Sequence, residues 1–141
     1  MTQIVETAEV GEPAAEVWAR IGRFGGLADW HPMVTAATCD GEAIGAVRRV
    51  LGIDGQVSVD RLTDRSSRPF FYRYRVEETQ MPVSDYVGEL RVEQNEDGAS
   101  TVVWSADFEL TLSDFRTIEN VRAFLKTGLT AVKDECRRAP M

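Results

Sequence analysis

Apolar and polar residues alternate along most of this chain, and only two stretches recur at helical spacing. Residues 2–10 alternate as a strand and stop at Gly11. Pro13 follows, suited to the first turn of a helix because its missing N–H would be unpaired there anyway. Ala14, Val17, Trp18 and Ile21 then fall at i, i+3, i+4 and i+7, one apolar face of a two-turn helix. Gly22, Gly25 and Gly26 break that helix, residues 27–30 form a second short turn, and Pro32 ends it. From there to residue 112 the pattern is strand after strand. Residues 34–39 stop at Asp40-Gly41, and 46–53 stop at Asp54-Gly55, a dipeptide that favours a tight hairpin. Residues 56–62 end in the polar run 63–68, and the aromatic and arginine-rich segment 70–77 is interrupted by Met81-Pro82. Residues 86–92 alternate cleanly, 95–98 turn the chain, and 101–112 close the series.

With the first segment counted, this predicts seven strands. Most are joined by hairpin-length loops, so the sheet is expected to be antiparallel. The tail differs in kind. Ile118, Val121, Phe124, Leu125, Gly128, Leu129, Val132 and Cys136 recur at steps of three and four, one apolar stripe on a helix over 115–138. Ser113 or Asp114 is available as its N-cap, and its length is roughly 35 Å at the standard rise per residue. The expected architecture is a single α+β domain over 1–141, with the helices gathered on one face of the sheet. One helix cannot cover seven strands laid flat. The sheet is therefore expected to curve around it and leave a space between the two.

Composition narrows the partners more than the fold. The 141 residues, 43% apolar and 28% charged, have the balance of an ordinary globular chain with enough length for a sizeable core. A formal net charge of -7 argues against nucleic acid and against anionic lipid, both of which demand a basic face. Cys39 and Cys136, far apart, read as reduced small hydrophobes. Together with one histidine they make no recognisable zinc site, so no metal or other cofactor is expected. Residues 1–6 lack the basic start and apolar run of a signal peptide, and no stretch approaches the roughly 18 apolar residues that span a membrane. A cytoplasmic protein without membrane insertion is the expectation, as monomer or homodimer.

Several segments together resemble the START/Bet v 1-like (SRPBCC) superfamily, and within it the polyketide cyclase/dehydrase-like group. They are Glu12-Pro13-Ala14-Ala15-Glu16-Val17-Trp18, Ile21-Gly22-Arg23-Phe24 leading to Trp30-His31-Pro32, Gly45-Ala46-Val47-Arg48, Asp60-Arg61-Leu62, Tyr74, and Met81-Pro82-Val83-Ser84-Asp85-Tyr86. The stretch from Val102 to Phe108 and the terminal helix complete the set. No single motif is specific; their order across nearly the whole chain is. The resemblance implies a helix-grip fold with a deep, mostly apolar cavity between sheet and helix. It also implies a small hydrophobic or aromatic ligand, with catalysis of polyketide cyclisation or dehydration in a minority of members. The chain is similar to the plant abscisic-acid receptors as well, whose gate and latch loops would fall at 52–56 and 78–82. Neither stretch carries the Ser-Gly-Leu-Pro or His-Arg-Leu signature of those receptors, and whether these loops (52–56 and 78–83) gate a cavity is left open.

Alternation sorts the candidate site residues. Trp104 and Phe108 share the less polar face of the last strand and are expected to point inward, as are Tyr86 and Tyr74 on theirs. Phe124 enters from the apolar stripe of the helix. For Arg48 and Asp60 alternation does not choose, and the resemblance alone places them in the cavity, where each would need the other or a ligand group. Trp30 and His31 stand between a helix end and Pro32, and His31 is the one side chain whose ordinary pKa lies near neutrality. Three readings follow. The first is a binding module. The second is an enzyme in which His31 acts as general acid or base and Tyr86 or Tyr74 stabilises an oxyanion, with Asp60 and Arg48 orienting the substrate. The third is an interaction protein with a collapsed cavity. Against any site stands the plainer reading that Trp30, Trp104 and Tyr74 are core and that His31 is a structural hydrogen-bonding residue.

Overall fold

The computed structural model describes residues 1–138, so the last three residues of the expected 1–141 domain lie outside the described residues. Seven strands form one antiparallel sheet: β1 (Thr2–Val10), β2 (Val34–Cys39), β3 (Val47–Gly52), β4 (Val57–Ser67), β5 (Phe70–Glu78), β6 (Val83–Gln94) and β7 (Ser100–Leu110). Their order is β1-β7-β6-β5-β4-β3-β2. From β2 to β7 the chain is a meander, and β1 crosses over to pair with β7, Thr2 opposite Phe108 and Val10 opposite Ser100. Helices α1 (Ala14–Ile21) and α2 (Leu27–Trp30) follow β1, with a 3₁₀ turn at Phe24–Gly26 between them, and α3 (Phe115–Arg138) ends the described chain. This is the curved seven-stranded sheet with a long C-terminal helix that the hydrophobic pattern predicts.

Local chemistry accounts for the boundaries. Pro13 stands at the N-cap of α1, and the free N–H of Ala14 donates to the Gln94 side chain of β6 at 2.9 Å. Ala14, Val17 and Ile21 are the buried face of α1. The Glu42 carboxylate accepts from the backbone N–H groups of Phe24 and Gly25, at 2.8 and 2.9 Å, and pairs with Arg65, which also donates to the Gly22 carbonyl. One carboxylate thus ties the α1–α2 connection to β4. Hydrogen bonds to charged groups are worth about 1.5–3 kcal/mol each where partly shielded from water. At the start of α3 the Asp114 side chain accepts from the N–H of Arg116, an N-cap bond.

Two strands are longer than their patterns suggest. The alternation predicts that β4 ends at residue 62, yet it continues to Ser67. The register shifts between Leu62 and Asp64, and the polar residues beyond are held sideways: Thr63 donates to the Arg73 carbonyl, and Asp64 pairs with Arg73. Likewise β6 begins at Val83 instead of 86, across a bulge between Ser84 and Val87 where Asp85 takes φ 53°. Bulges bend their strands and increase local twist, which helps the sheet to curve around α3.

The core follows the alternation of the inner face. Val102, Trp104, Ala106 and Phe108 of β7 are buried, as are Tyr86, Leu90 and Val92 of β6 and Tyr72 and Tyr74 of β5. They meet Val121, Leu125, Leu129, Val132 and Cys136 of α3. Full burial of such a side chain stabilises by roughly 1.5–3 kcal/mol.

Candidate functional site

Between the inner face of the sheet and the first half of α3 lies a cavity of about 420 Å³, within the range of about 300–1,000 Å³ usual for small-molecule sites. Arg48 and Val50 of β3, Asp60 of β4, Tyr74 of β5, Tyr86 of β6 and Trp104 of β7 form its floor and walls. Val121 and Phe124 roof it from α3. Ile53, Asp54 and Gln56 of the β3–β4 turn and Thr79 and Met81 of the β5–β6 loop stand at its rim. The Gln80 side chain links the two loops by accepting from the Val57 N–H at 3.4 Å. A second recess, lined by residues 76–79 and 83–86 at the β5–β6 connection, shares Val76, Thr79 and Tyr86 with the cavity.

The buried charge of the cavity is one ion pair, beside the hydroxyl-bearing Ser58, Tyr74 and Tyr86. Arg48 and Asp60 face each other across β3 and β4 and are 1% and 3% exposed. Arg48 donates through Nε and Nη2 to the same oxygen, Asp60 Oδ2, at 3.0 and 2.8 Å. Nη1 donates to the Phe24 carbonyl and to the Tyr72 hydroxyl. The rings of Phe24 and Tyr74 stand 4.2 and 4.9 Å from the guanidinium carbon, an arrangement that replaces lost hydration by cation–π attraction. Burial pushes the Asp60 carboxyl upward, while Arg48 and the nearby Ser58 hydroxyl pull it back. The other oxygen, Oδ1, is buried and has no hydrogen-bond partner. Arg48 is held charged: burial opposes that form, but Tyr72 and Asp60 outweigh it.

The tyrosines divide. Tyr74 accepts from the Trp104 indole N–H at 3.1 Å, which fixes both rings. Its ring lies across Gly88, its register partner on β6, where any Cβ would collide with it. Tyr86 stacks on Phe108 with ring centroids 5.4 Å apart. Burial raises both phenols, and at Tyr86 the neighbouring Tyr74 and Asp60 add to it.

His31 sits behind this wall. Its ring is 1% exposed and stacks on Phe124 at 4.1 Å. Nδ1 accepts from the Met33 N–H at 3.1 Å, so the ring proton is on Nε2, which donates to the Phe124 carbonyl at 2.9 Å. Burial among Trp30, Trp104 and Phe124 lowers its pKa to about 4, the bond to Phe124 opposing. Gly128 makes the close approach possible, since a Cβ there would lie 2.7 Å from His31 Cδ2 and 2.8 Å from Trp104.

Of the residues singled out from the sequence, the cavity brings together Arg48, Asp60, Tyr74, Tyr86, Trp104 and Phe124. His31, Trp30 and Phe108 are instead in the layer behind: Trp30 against Trp104 at 5.6 Å, with its indole nitrogen unpartnered, and Phe108 behind Tyr86. Val50, Val121 and Met33 also line the cavity and are not singled out by the sequence pattern. The signal available for Val50 is its place two residues after Arg48 on one strand face, and for Val121 its place one turn before Phe124. Tyr72, which holds Arg48, carries a signal too, since it shares the strand face of Tyr74.

A curved sheet gripping a long helix over a partly open cavity defines a Bet v 1-like protein. The profile of the family described as "Polyketide cyclase / dehydrase and lipid transport" matches residues 1–137, and the chain belongs to that family, within the SRPBCC superfamily. No curated protein sequence matches the chain. Among solved structures it is similar to the protein XoxI from Bacillus cereus, with a TM-score of 0.91 at 24% identity over 98% of this chain and 97% of that one. The Zhui aromatase/cyclase from a Streptomyces species has a TM-score of 0.79 at 22% identity, covering 97% of this chain and 94% of that one. Ara h 8.0201 has a TM-score of 0.78 at 12% identity, with 96% and 97% covered. At these identities the likeness is one of fold. Among the described residues no helix is long and apolar enough to cross a membrane.

Proposed function

We propose that this protein binds one small, largely apolar molecule with an aromatic or fused-ring body in the cavity beneath α3. The observation that carries this is the composition of the cavity wall. Aromatic and aliphatic side chains from five strands and α3 line about 420 Å³, and the neutralised Arg48–Asp60 pair with a few hydroxyl and amide side chains supplies the polarity. Apolar burial supplies affinity and the few polar groups supply orientation. A cavity of this size favours ligand binding over an interaction protein with a collapsed interior. An acid–base role for His31 is not favoured, because both ring nitrogens are committed and the ring stays neutral well below neutrality.

The test is a titration of the purified protein with naphthalene-type and other apolar probes, followed by intrinsic tryptophan fluorescence and native mass spectrometry. Val50→Trp projects bulk into the cavity from a strand that otherwise keeps its partners. Stoichiometric binding that weakens about tenfold or more in this variant, with unchanged far-UV circular dichroism, is the expected result. Probe binding that is indifferent to Val50→Trp refutes the site.

A further inference from the structure

The cavity holds one group that the protein leaves unfinished. Asp60 is 3% exposed, lines the cavity, and commits Oδ2 to two bonds from Arg48. Oδ1 has none, although Arg48, Ser58, Tyr74 and Tyr86 all surround the same space. A buried acceptor without a donor costs free energy comparable to a lost hydrogen bond, and more when it carries charge. Native interiors rarely keep such an atom without a use for it. Arg48, by contrast, is largely committed: four of its five N–H groups donate within the protein, and the charge behind the remaining Nη2 N–H is matched by Asp60.

We infer that Asp60 Oδ1 is the specificity-determining atom of the cavity, receiving a hydrogen bond from a neutral hydroxyl (a phenol, enol or alcohol) on the ligand and rejecting carboxylates. This rests on the binding reading above and adds the chemical class of the ligand to it. A neutral O–H brings the donor that Oδ1 lacks without bringing charge into a desolvated space. An ionised carboxylate offers only further lone pairs to a site whose cation is already paired. It would face Oδ1 as a like charge at short range in low dielectric. An ether of the same shape has an acceptor and no donor, so it leaves Oδ1 as it was. The rejection is of the kind that polar sites achieve best, by leaving buried groups unpaired in the wrong complex.

Four probes with one ring system separate the contributions: naphthalene, 2-naphthol, 2-methoxynaphthalene and 2-naphthoate, titrated at neutral pH into the parent protein by calorimetry. Naphthol is expected to bind about tenfold or more tighter than the methyl ether, the size of a hydrogen bond to a charged acceptor. Naphthoate is expected to bind more weakly than the ether. Asp60→Asn is then expected to bring naphthol and its ether to within about twofold of each other. If loss of the charge partner of Arg48 prevents that variant from folding, the parent series decides alone. Equal affinity for naphthol and ether overturns the inference and leaves the binding reading standing. A preference for naphthoate overturns it too, by making the site an anion receptor. If none of the four binds, naphthalene included, both readings fall.

Discussion

Replacement of His31 by glutamine isolates a titration near neutrality that burial dominates. The folded protein keeps the imidazole neutral down to about pH 4, against 6.5 for an unperturbed histidine. As pH falls through the ordinary value, the unfolded chain takes up a proton that the folded protein refuses, so stability declines. The loss is complete once the folded-state value is passed. The difference between 6.5 and about 4, at about 1.4 kcal/mol per pH unit, is worth about 3 kcal/mol, of which about 2.5 kcal/mol has been lost by about pH 4.5. In the His31→Gln variant the side-chain amide keeps a donor for the Phe124 carbonyl and an acceptor for the Met33 N–H but has no proton to gain. The assay is urea unfolding of parent and variant at intervals from about pH 7.5 to 4.5, with the two stability curves subtracted. Carboxylates, Asp60 included, titrate in both proteins and largely cancel. The chain has a single histidine, so the remaining slope belongs to it. Parallel curves would refute the reasoning: His31 would then be protonated in the folded protein or open to water, and its two hydrogen bonds would not be the ones described.

Other expectations follow from the same packing. Arg48→Met leaves Asp60 buried without its cation and is expected to cost about 3–5 kcal/mol in urea unfolding, whereas Arg48→Met with Asp60→Leu regains most of that; a double variant as unstable as the single would show that the pair is not acting as a unit. Gly128→Ala would raise stability in an isolated helix by about 1 kcal/mol. Here the new methyl meets the His31 and Trp104 rings at 2.7–2.8 Å, and overpacking of about 1–3 kcal/mol is expected to win, lowering Tm. A rise in Tm would mean that those rings have room to retreat.

The legible part of this molecule is the part where one residue's neighbours along the chain decide its place. Trp104, Phe108, Tyr74 and Tyr86 can be turned inward because their strands alternate without interruption, and the stripe of α3 faces the sheet as its period requires. Arg48 and Asp60 are not legible in that way. Polar residues occupy both faces of their strands, and the register of β4 shifts beside Asp60, so what places them is a contact across two strands. The polar end of β4 reads as a turn because Thr63, Asp64 and Arg65 find their partners on β5 and in the β2–β3 loop, which no local pattern contains. His31 is a similar case. Flanking Trp30 and Pro32 identify it as held in place, but its partner is a carbonyl 93 positions away.

The place of β1 has a consequence for how the molecule is made. Thr2 pairs with Phe108, so the first strand leaves the ribosome more than a hundred residues before the strand it joins. At about 5–20 residues per second that is a wait of roughly 5–20 s. Throughout it β2 to β6 are able to zip as successive hairpins while β1 has no edge to join, and α3, which packs against β1, is later still. The topology therefore assigns closure of the cavity to the stage of biosynthesis at which β7 and α3 meet β1. A ribosome-bound chain stalled before β7 is expected to hold a meander with an unpaired β1, exposed to chaperones and proteases and without a cavity to bind anything.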